Sequence, residues 1–274
     1  QFFLDFYAKR DSATGGRQMP VHFNSRRHRI VSLSSPVATN MLQAVGMAMS
    51  LKERNVPEVV VASSGDAATR EGEVLEAIQQ AAVESLPVLF LIEDNRWGIS
   101  TPTVGKTFWT QPHALVHDAD GLVYFMGCRV VDVDGLDPEA VYLASQEALE
   151  RARGGKGPTC LIARLERMGS HSSSDDQRIY RDEKELEAVL SKDPLKRYGQ
   201  RLLAEKVLTQ ENLEQMRAAA QTEIDAASAR AKAAPDPDPA SALHSAFSPL
   251  PEDLPKEELG LPPLLAKRTG GLTM

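Results

Sequence analysis

The sequence predicts an α/β protein: a doubly wound, mostly parallel sheet, followed by a helical extension and a proline-rich tail. Three observations predict it. Strand-sized apolar runs alternate with segments of helical period as far as Ala163, the pattern of a parallel sheet covered on both faces. From Glu183 to about Ala231 the pattern is wholly helical. Eight of the 17 prolines then fall between Pro235 and Pro263, including the alternation Pro235-Asp236-Pro237-Asp238-Pro239. Such density excludes helix and central strand and favours extended chain.

The chain opens on the apolar, helix-compatible Gln1-Phe2-Phe3, without a methionine, so residues upstream are expected. Residues 39–52, with Met41, Leu42, Ala44, Val45, Met47, Ala48 and Met49, read as a helix apolar on nearly all sides and therefore buried. Val59 to Ala62 is a buried strand, with a turn at Ser64-Gly65-Asp66. A helix from about Glu71 to Glu84 carries the stripe Val74, Leu75, Ile78, Ala81 and Ala82, as on a helix packed against a sheet. Val88 to Ile92, Cys128 to Val133 and Thr159 to Ala163 are three further strands. The helix between the last two, Pro138 to Arg153, begins with proline at its first position. Thr209 is placed to cap a helix of the later region. The expected divisions are an α/β domain over 1–180, a helical extension over 181–232 and a tail over 233–274.

Composition narrows the function. The 274 residues carry 31 Lys plus Arg against 38 Asp plus Glu, a net charge of −7. That balance argues against nucleic-acid binding, which needs a positive field over the phosphates. Two cysteines, Cys128 and Cys160, are too few for a disulfide framework or a four-sulfur zinc site. No apolar run reaches the length of a membrane span. No targeting segment stands in the chain, so the expectation is a cytoplasmic protein if bacterial and a mitochondrial-matrix protein if eukaryotic.

The first chemical signal is Gly65-Asp66-Ala67-Ala68, where a buried strand passes into a helix. Small residues there let a diphosphate approach the backbone, and N–H groups at a helix start favour anionic oxygens. Asp66 offers a hard oxygen ligand suited to Mg²⁺. One strand later, Asp94-Asn95 ends the neighbouring parallel strand, and such strand ends converge on one crevice. Asn95 would give a second oxygen and the Trp97 carbonyl a third. A plain strand-turn-helix with an acidic turn would look the same at Gly65-Asp66; Asn95 at matching topology is what favours a ligand site.

These residues carry a family resemblance. Gly65-Asp66 and Asp94-Asn95-Arg96-Trp97-Gly98-Ile99-Ser100-Thr101-Pro102 resemble the thiamine-diphosphate motif, and more narrowly the α subunit of the E1 component of 2-oxo acid dehydrogenase complexes. Three further segments match in order. Gly16-Arg17-Gln18-Met19-Pro20-Val21-His22-Phe23 resembles a segment of branched-chain E1 α subunits. Ser34-Ser35-Pro36-Val37-Ala38-Thr39 resembles the loop that contacts the middle of the cofactor. Arg167-Met168-Gly169-Ser170-His171-Ser172-Ser173-Ser174-Asp175-Asp176 resembles the mobile active-site loop. The resemblance implies a thiamine-diphosphate-binding fold. It also implies decarboxylation of a 2-oxo acid, of branched-chain type with pyruvate as the alternative, and transfer of the acyl group to the lipoyl domain of E2.

The resemblance also implies roles. Asp66, Asn95 and the Trp97 carbonyl would hold Mg²⁺ on the diphosphate, while Gly65, Ala67 and Ala68 cradle its oxygens. Ser35 and Val37 would touch the thiazolium–pyrimidine region, and Glu71 matches a family glutamate with a structural or hydrogen-bonding role. His171 would be the catalytic side chain, since histidine titrates near neutral pH and can donate to developing negative charge. Arg167 and Asp175 would brace its loop by charge pairing. His22 reads as a structural histidine, and Arg26-Arg27-His28-Arg29 as a solvated face or a subunit contact.

The chain departs from the family pattern at three places. Ala67 replaces a customary glycine, Asp94 a customary asparagine, and Glu93 stands where relatives often carry an arginine. These departures motivate an alternative, a degenerate non-catalytic assembly subunit. A Mg²⁺-dependent phosphotransfer protein would need a phosphate-binding lysine or a carboxylate pair near Asp66, and the sequence shows neither. The aminopyrimidine-activating glutamate belongs to the β part in this family, and no matching segment is present. A β partner is therefore expected in a heterotetrameric complex. Gly270-Gly271-Leu272-Thr273-Met274 resembles the opening of β chains, so that partner is either a separate chain or fused downstream.

Overall fold

The structure is a computed structural model that describes residues 1–243, apart from 20, 23 and 112. Most of the proline-rich tail, including Gly270 to Met274, lies outside the described residues, as do two positions of the Gly16–Phe23 segment. Among the described residues the chain forms two compact units, one of residues 33–221 and one of residues 1–32 with 222–243.

The larger unit is the expected mixed α/β fold. Its elements are α2 (Thr39–Glu53), β1 (Val60–Gly65), α3 (Gly72–Val83) and β2 (Val88–Asp94), preceded in the chain by α1 (Phe2–Phe6) of the other unit. A hairpin of β3 (Trp97–Gly98) and β4 (Thr101–Pro102) follows, then β5 (Val116–His117), β6 (Val123–Phe125) and β7 (Cys128–Asp134). The remaining elements are α4 (Pro138–Arg153), β8 (Thr159–Arg164), α5 (Glu183–Ser191), α6 (Pro194–Ala204) and the first half of α7 (Gln210–Ala233), whose residues from 222 on belong to the smaller unit. Six strands pair in the order β1-β2-β8-β7-β6-β5. The first four are mutually parallel, and β6 and β5 add an antiparallel edge. The β5–β6 pair and the β3–β4 hairpin were not expected from the sequence, because strands of two or three residues are too short to show a period.

Alternation along the central strands builds both layers. Val88, Phe90 and Ile92 of β2, with Cys160 and Ile162 of β8, pack beneath α2 and α3. Leu89, Leu91 and Leu161 face the opposite way, against Ala144, Ala148 and Leu149 of α4. Full burial of such side chains contributes about 1.5–3 kcal/mol each. The sheet is thus doubly wound, with α2 and α3 on one face and α4 on the other. Local signals set the helix ends. Asp137 accepts from Glu139 N at 3.0 Å and Pro138 takes the first position of α4. Thr209 Oγ1 accepts from Asn212 N at 3.1 Å at the start of α7.

Two expectations about the helices are corrected. Helix α2 is not buried on all sides: Met41, Ala44, Val45 and Ala48 are covered, whereas Met47 and Met49 are 38% and 41% exposed. The fully covered residues form the i, i+3, i+4, i+7 stripe, with Leu42 and Leu51 partly buried beside it. On α3 the buried stripe is Val74, Ala77, Ile78 and Ala81, with Leu75 exposed. Leu75 falls beside the i, i+3, i+4, i+7 stripe that starts at Val74, on the outer edge of the helix.

The smaller unit is held at its ends. Aromatic rings of Phe2, Phe3, Phe6 and Tyr7 stack along α1, and Tyr7 Oη lies 3.1 Å from Ser228 Oγ of α7. Arg10 N donates to the Pro235 carbonyl at 3.0 Å, and Lys9 pairs with Asp236 at 2.6 Å. Arg26, Arg27, His28 and Arg29 are exposed in this unit, with His28 Nδ1 2.7 Å from Ser25 Oγ.

Candidate cofactor and cation site

The parallel strands end together. Register pairs Gly65 with Glu93 and Asp94 with Arg164, so β1, β2 and β8 deliver their following residues to one edge of the sheet. Ligand crevices of open α/β sheets form at this edge. Asp66 is the first residue past β1 and is only 1% exposed. Its Oδ2 accepts from the Thr103 hydroxyl, whereas its Oδ1 is buried with no hydrogen-bond partner. Burial pushes the Asp66 carboxyl above the usual aspartate range, and the charge of Asp94 adds to the rise. The Thr103 hydroxyl and the Asn95 N–H oppose it. A buried carboxylate oxygen without a partner costs several kcal/mol in its charged form and is the kind of group a cation satisfies.

Gly65 and Ala67 shape the turn beside it. A methyl built on Gly65 would meet no atom within 4 Å, so the backbone there is open to a ligand. Ala67 starts a 3-10 turn over Ala67–Arg70 and its φ is not left-handed. An alanine is therefore tolerated where the family pattern has glycine. Its methyl faces Gly98: a Cβ at 98 would lie 2.7 Å from Ala67 Cβ. Alanine at 67 thus requires glycine at 98. Ala68 O accepts from Glu71 N at 3.1 Å, and the exposed Glu71 stands at the N-cap of α3.

The second turn follows β2. Asn95 Oδ1 accepts from Trp97 N at 3.0 Å, which leaves that amide oxygen one further lone pair. Asp94 lies next to Asp66 in space, so a carboxylate pair that the sequence did not reveal exists. Both Asp94 oxygens are used, however: Oδ1 accepts from Arg96 N and Oδ2 from Trp109 Nε1, each at 3.1 Å. Asp94 therefore fixes the turn, and Asp66 keeps the open oxygen. Arg96 and Ile99 both sit in the left-handed region, at φ 66° and 55°. For a β-branched residue this is a strained conformation, of the kind that marks ligand turns. Glu93 is exposed and accepts from the Ser63 hydroxyl.

His171 belongs to the segment after β8. It is exposed, and its N–H donates to Asp175 Oδ2 at 2.8 Å. The same oxygen accepts from Tyr180 Oη at 2.6 Å, and Arg167 donates to Tyr180 Oη at 2.8 Å. The Tyr180 hydroxyl and the His171 N–H hold the Asp175 carboxyl below the usual range. Arg167 and Asp175 meet through the Tyr180 hydroxyl and not as the expected direct charge pair. The loop is also stitched to the second turn: Arg167 donates to the Ile99 carbonyl at 2.7 Å, and Trp97 and Tyr180 rings lie 5.6 Å apart.

Asp66, Ala67, Asn95, Trp97 and the base of the His171 loop are thus brought to one edge. Ser35 and Val37 stand on exposed chain just before α2, Val37 at 60% exposure. Asn40 in the first turn of α2 donates to the Ser63 carbonyl at 2.9 Å, which keeps that chain near the end of β1. Sequence reasoning missed Thr103, Trp109, Tyr180 and Arg181, which touch site residues rather than forming motifs. Among the described residues no three His, Cys, Asp or Glu side chains cluster as a metal site. An Asp66, Asn95 and carbonyl set would not register as such a cluster, since it draws on an amide and the backbone.

A parallel sheet with a buried, half-satisfied carboxylate at one strand end and an asparagine turn at the next has its ligand-type crevice where open α/β sheets form one. Residues 1–240 match the dehydrogenase E1 component family, and the chain belongs to it. It is similar to the 2-oxoisovalerate dehydrogenase subunit alpha of Bacillus subtilis (strain 168), 38% identical over 205 residues, 75% of this chain and 60% of that one. The 3-methyl-2-oxobutanoate dehydrogenase subunit alpha of Mycobacterium tuberculosis (strain ATCC 25618 / H37Rv) is 37% identical over 69% of this chain and 50% of its own. The mitochondrial 2-oxoisovalerate dehydrogenase subunit alpha of Homo sapiens is 31% identical over 95% of this chain and 57% of its own. The chain therefore spans 50–60% of the length of these relatives. Family membership implies thiamine diphosphate as the cofactor.

Proposed function

We propose that this chain is the α part of a branched-chain 2-oxo acid dehydrogenase E1, which decarboxylates a 2-oxo acid and reductively acylates the lipoyl domain of E2. The observation that carries the reading is Asp66 Oδ1, a buried oxygen without a partner at the end of β1, one strand from Asn95. Asp66, the Asn95 side chain and the Trp97 carbonyl form a hard-oxygen set suited to Mg²⁺. Gly65, Ala67 and Ala68 border the open backbone where a diphosphate would lie, with Glu71 supporting the turn. Ser35 and Val37 border the remainder of the cofactor. Thiamine diphosphate, when bound, supplies the electron sink for decarboxylation. The chain's own contribution is to hold and shape it, and His171 donates a proton to negative charge developing on the substrate. Arg167 and Asp175 keep the His171 loop in place through Tyr180.

The printed names of the relatives favour 2-oxoisovalerate-type substrates over pyruvate. Residues 1–180 would form the cofactor domain, 181–232 a helical extension and 233–274 a tail leading toward a β part, fused or separate. No helix among the described residues is long and apolar enough to cross a membrane. The eukaryotic relatives are mitochondrial by name, and the bacterial setting would be the cytoplasm. The test is turnover by the full-length protein, with its β part, thiamine diphosphate, Mg²⁺ and a lipoyl acceptor. Faster oxidation of branched-chain 2-oxo acids than of pyruvate supports the reading. No turnover of any 2-oxo acid, with cofactor bound, would favour the non-catalytic assembly subunit.

A further inference from the structure

Glu166 is the feature of the site region that the reading above leaves without a role. Its side chain is 7% exposed, two residues past the end of β8, yet it carries a full carboxylate. Arg96 donates to its Oε2 at 2.5 Å and Lys192 to its Oε1 at 2.6 Å, so each oxygen meets one cation. Arg96 lies between Asn95 and Trp97, at φ 66°. A non-glycine residue held there is disfavoured and persists only where its surroundings fix it. The Arg96 backbone is fixed on both sides, its N–H by Asp94 Oδ1 at 3.1 Å and its carbonyl by Thr103 N at 3.0 Å. Among the described residues its side chain has one hydrogen-bonded anchor, Glu166. Leu165 N also donates to the Asp94 carbonyl at 2.8 Å, so residues 165–167 and 94–99 are joined at three successive positions.

We propose that Glu166 is a positioning residue that clamps Arg96, and through it holds the Asn95–Trp97 turn in its cation-binding shape. Lys192 secures the other side of the carboxylate from the end of α5. The clamp makes one body of the turn bearing Asn95 and the Trp97 carbonyl, the start of the His171 loop, and α5. It rests on the assignment of Asn95 and Trp97 as cation ligands.

The test uses the full-length protein with Mg²⁺ as titrant at fixed thiamine diphosphate, read by calorimetry. Amide hydrogen exchange over residues 95–99 without cofactor gives a second readout. Glu166→Gln should raise the half-saturating Mg²⁺ concentration about fivefold or more and speed exchange at 96–99. Glycine adopts a left-handed φ without strain. In the Arg96→Gly background the strain that the clamp offsets is gone, so Glu166→Gln should have little further effect there. Arg96→Ala, which loses the anchor and keeps the left-handed strain, should weaken binding more than Arg96→Gly does; this comparison stands even if Glu166→Gln folds poorly. Equal losses from Glu166→Gln in both backgrounds, or unchanged exchange at 96–99, would overturn the clamp. Asp66→Asn separates the two levels. If it leaves the Mg²⁺ response intact, the cation assignment fails and the clamp with it; if it abolishes the response while Glu166→Gln changes nothing, the clamp alone fails.

Discussion

At Asp66, burial and the neighbouring Asp94 charge raise the carboxyl, and the Thr103 hydroxyl opposes them. Its raised carboxyl means that the folded state holds a proton more tightly than the unfolded chain does. The associated stability is present below the unfolded value and lost as pH rises through the folded one. Ionising Asp66 in the cofactor-free protein is therefore unfavourable, and Asp66→Asn should raise its Tm by a few degrees (about 2–4 °C per kcal/mol at this size) while removing any gain from Mg²⁺. Calorimetric scans with and without the ion check both halves. Thr103 sets the other oxygen of Asp66. Thr103→Val should weaken cation affinity about 10- to 100-fold, the range for losing an outer hydrogen bond to a metal ligand. Loss of the fold in that variant, rather than of affinity, would assign Thr103 to packing. His171→Ala should keep cofactor affinity and lower turnover roughly 10²-fold, as for a positioned acid–base group. A change under threefold would leave the histidine as part of the loop only. Asp66, Asn95 and His171 were legible in the sequence because each sits in a motif with fixed spacing. Thr103, Trp109 and Tyr180 were not, because their partners are 37, 15 and 5 residues distant and no local pattern announces them.

The His171 loop and the helices show what an element adds beyond its residues. Tyr180 joins Asp175 to Arg167, so Tyr180→Phe breaks both hydrogen bonds and keeps the ring contact with Trp97. Limited proteolysis between Gly169 and Tyr180 should speed up in that variant, and cofactor should slow it less than in the parent. Equal rates would mean that the ring, and not the hydroxyl, orders the loop. Glu166 adds a pH dependence. Burial alone would raise its carboxyl, but Lys192 and Arg96 outweigh burial and hold it below the usual glutamate range. A depressed value gives stability above the unfolded pKa of about 4.3 that is lost as pH falls through the folded one. The Tm difference between the parent and Glu166→Gln should therefore narrow as pH drops from about 5 to about 3; a constant difference would exclude the ion pairs as its source. The long strands and α4 were readable from apolar runs and the Asp137-Pro138 start. The two- and three-residue strands were not. The exposed half of α2 was misjudged because methionines at 47 and 49 look like core in sequence, and burial depends on which neighbours the fold supplies.

Across the molecule, the parallel order of four strands gathers the functional ends, and two antiparallel strands close the sheet beyond β7 without touching them. The sequence could announce the parallel order through its alternating elements; it could not announce where residues 1–32 fold, because those contacts are with residues beyond 222. By the family resemblance, the carboxylate that activates the aminopyrimidine comes from a β part, so residues 1–274 alone should bind cofactor weakly and turn over no 2-oxo acid. Addition of the β part should restore turnover. The most direct measurement is a calorimetric titration of the full-length protein with thiamine diphosphate, in Mg²⁺ and in chelator, for the parent and Asp66→Ala. The account predicts saturable binding only for the parent in Mg²⁺, with Asp66→Ala folded and silent. Equal affinity in chelator, or in Asp66→Ala, would contradict it.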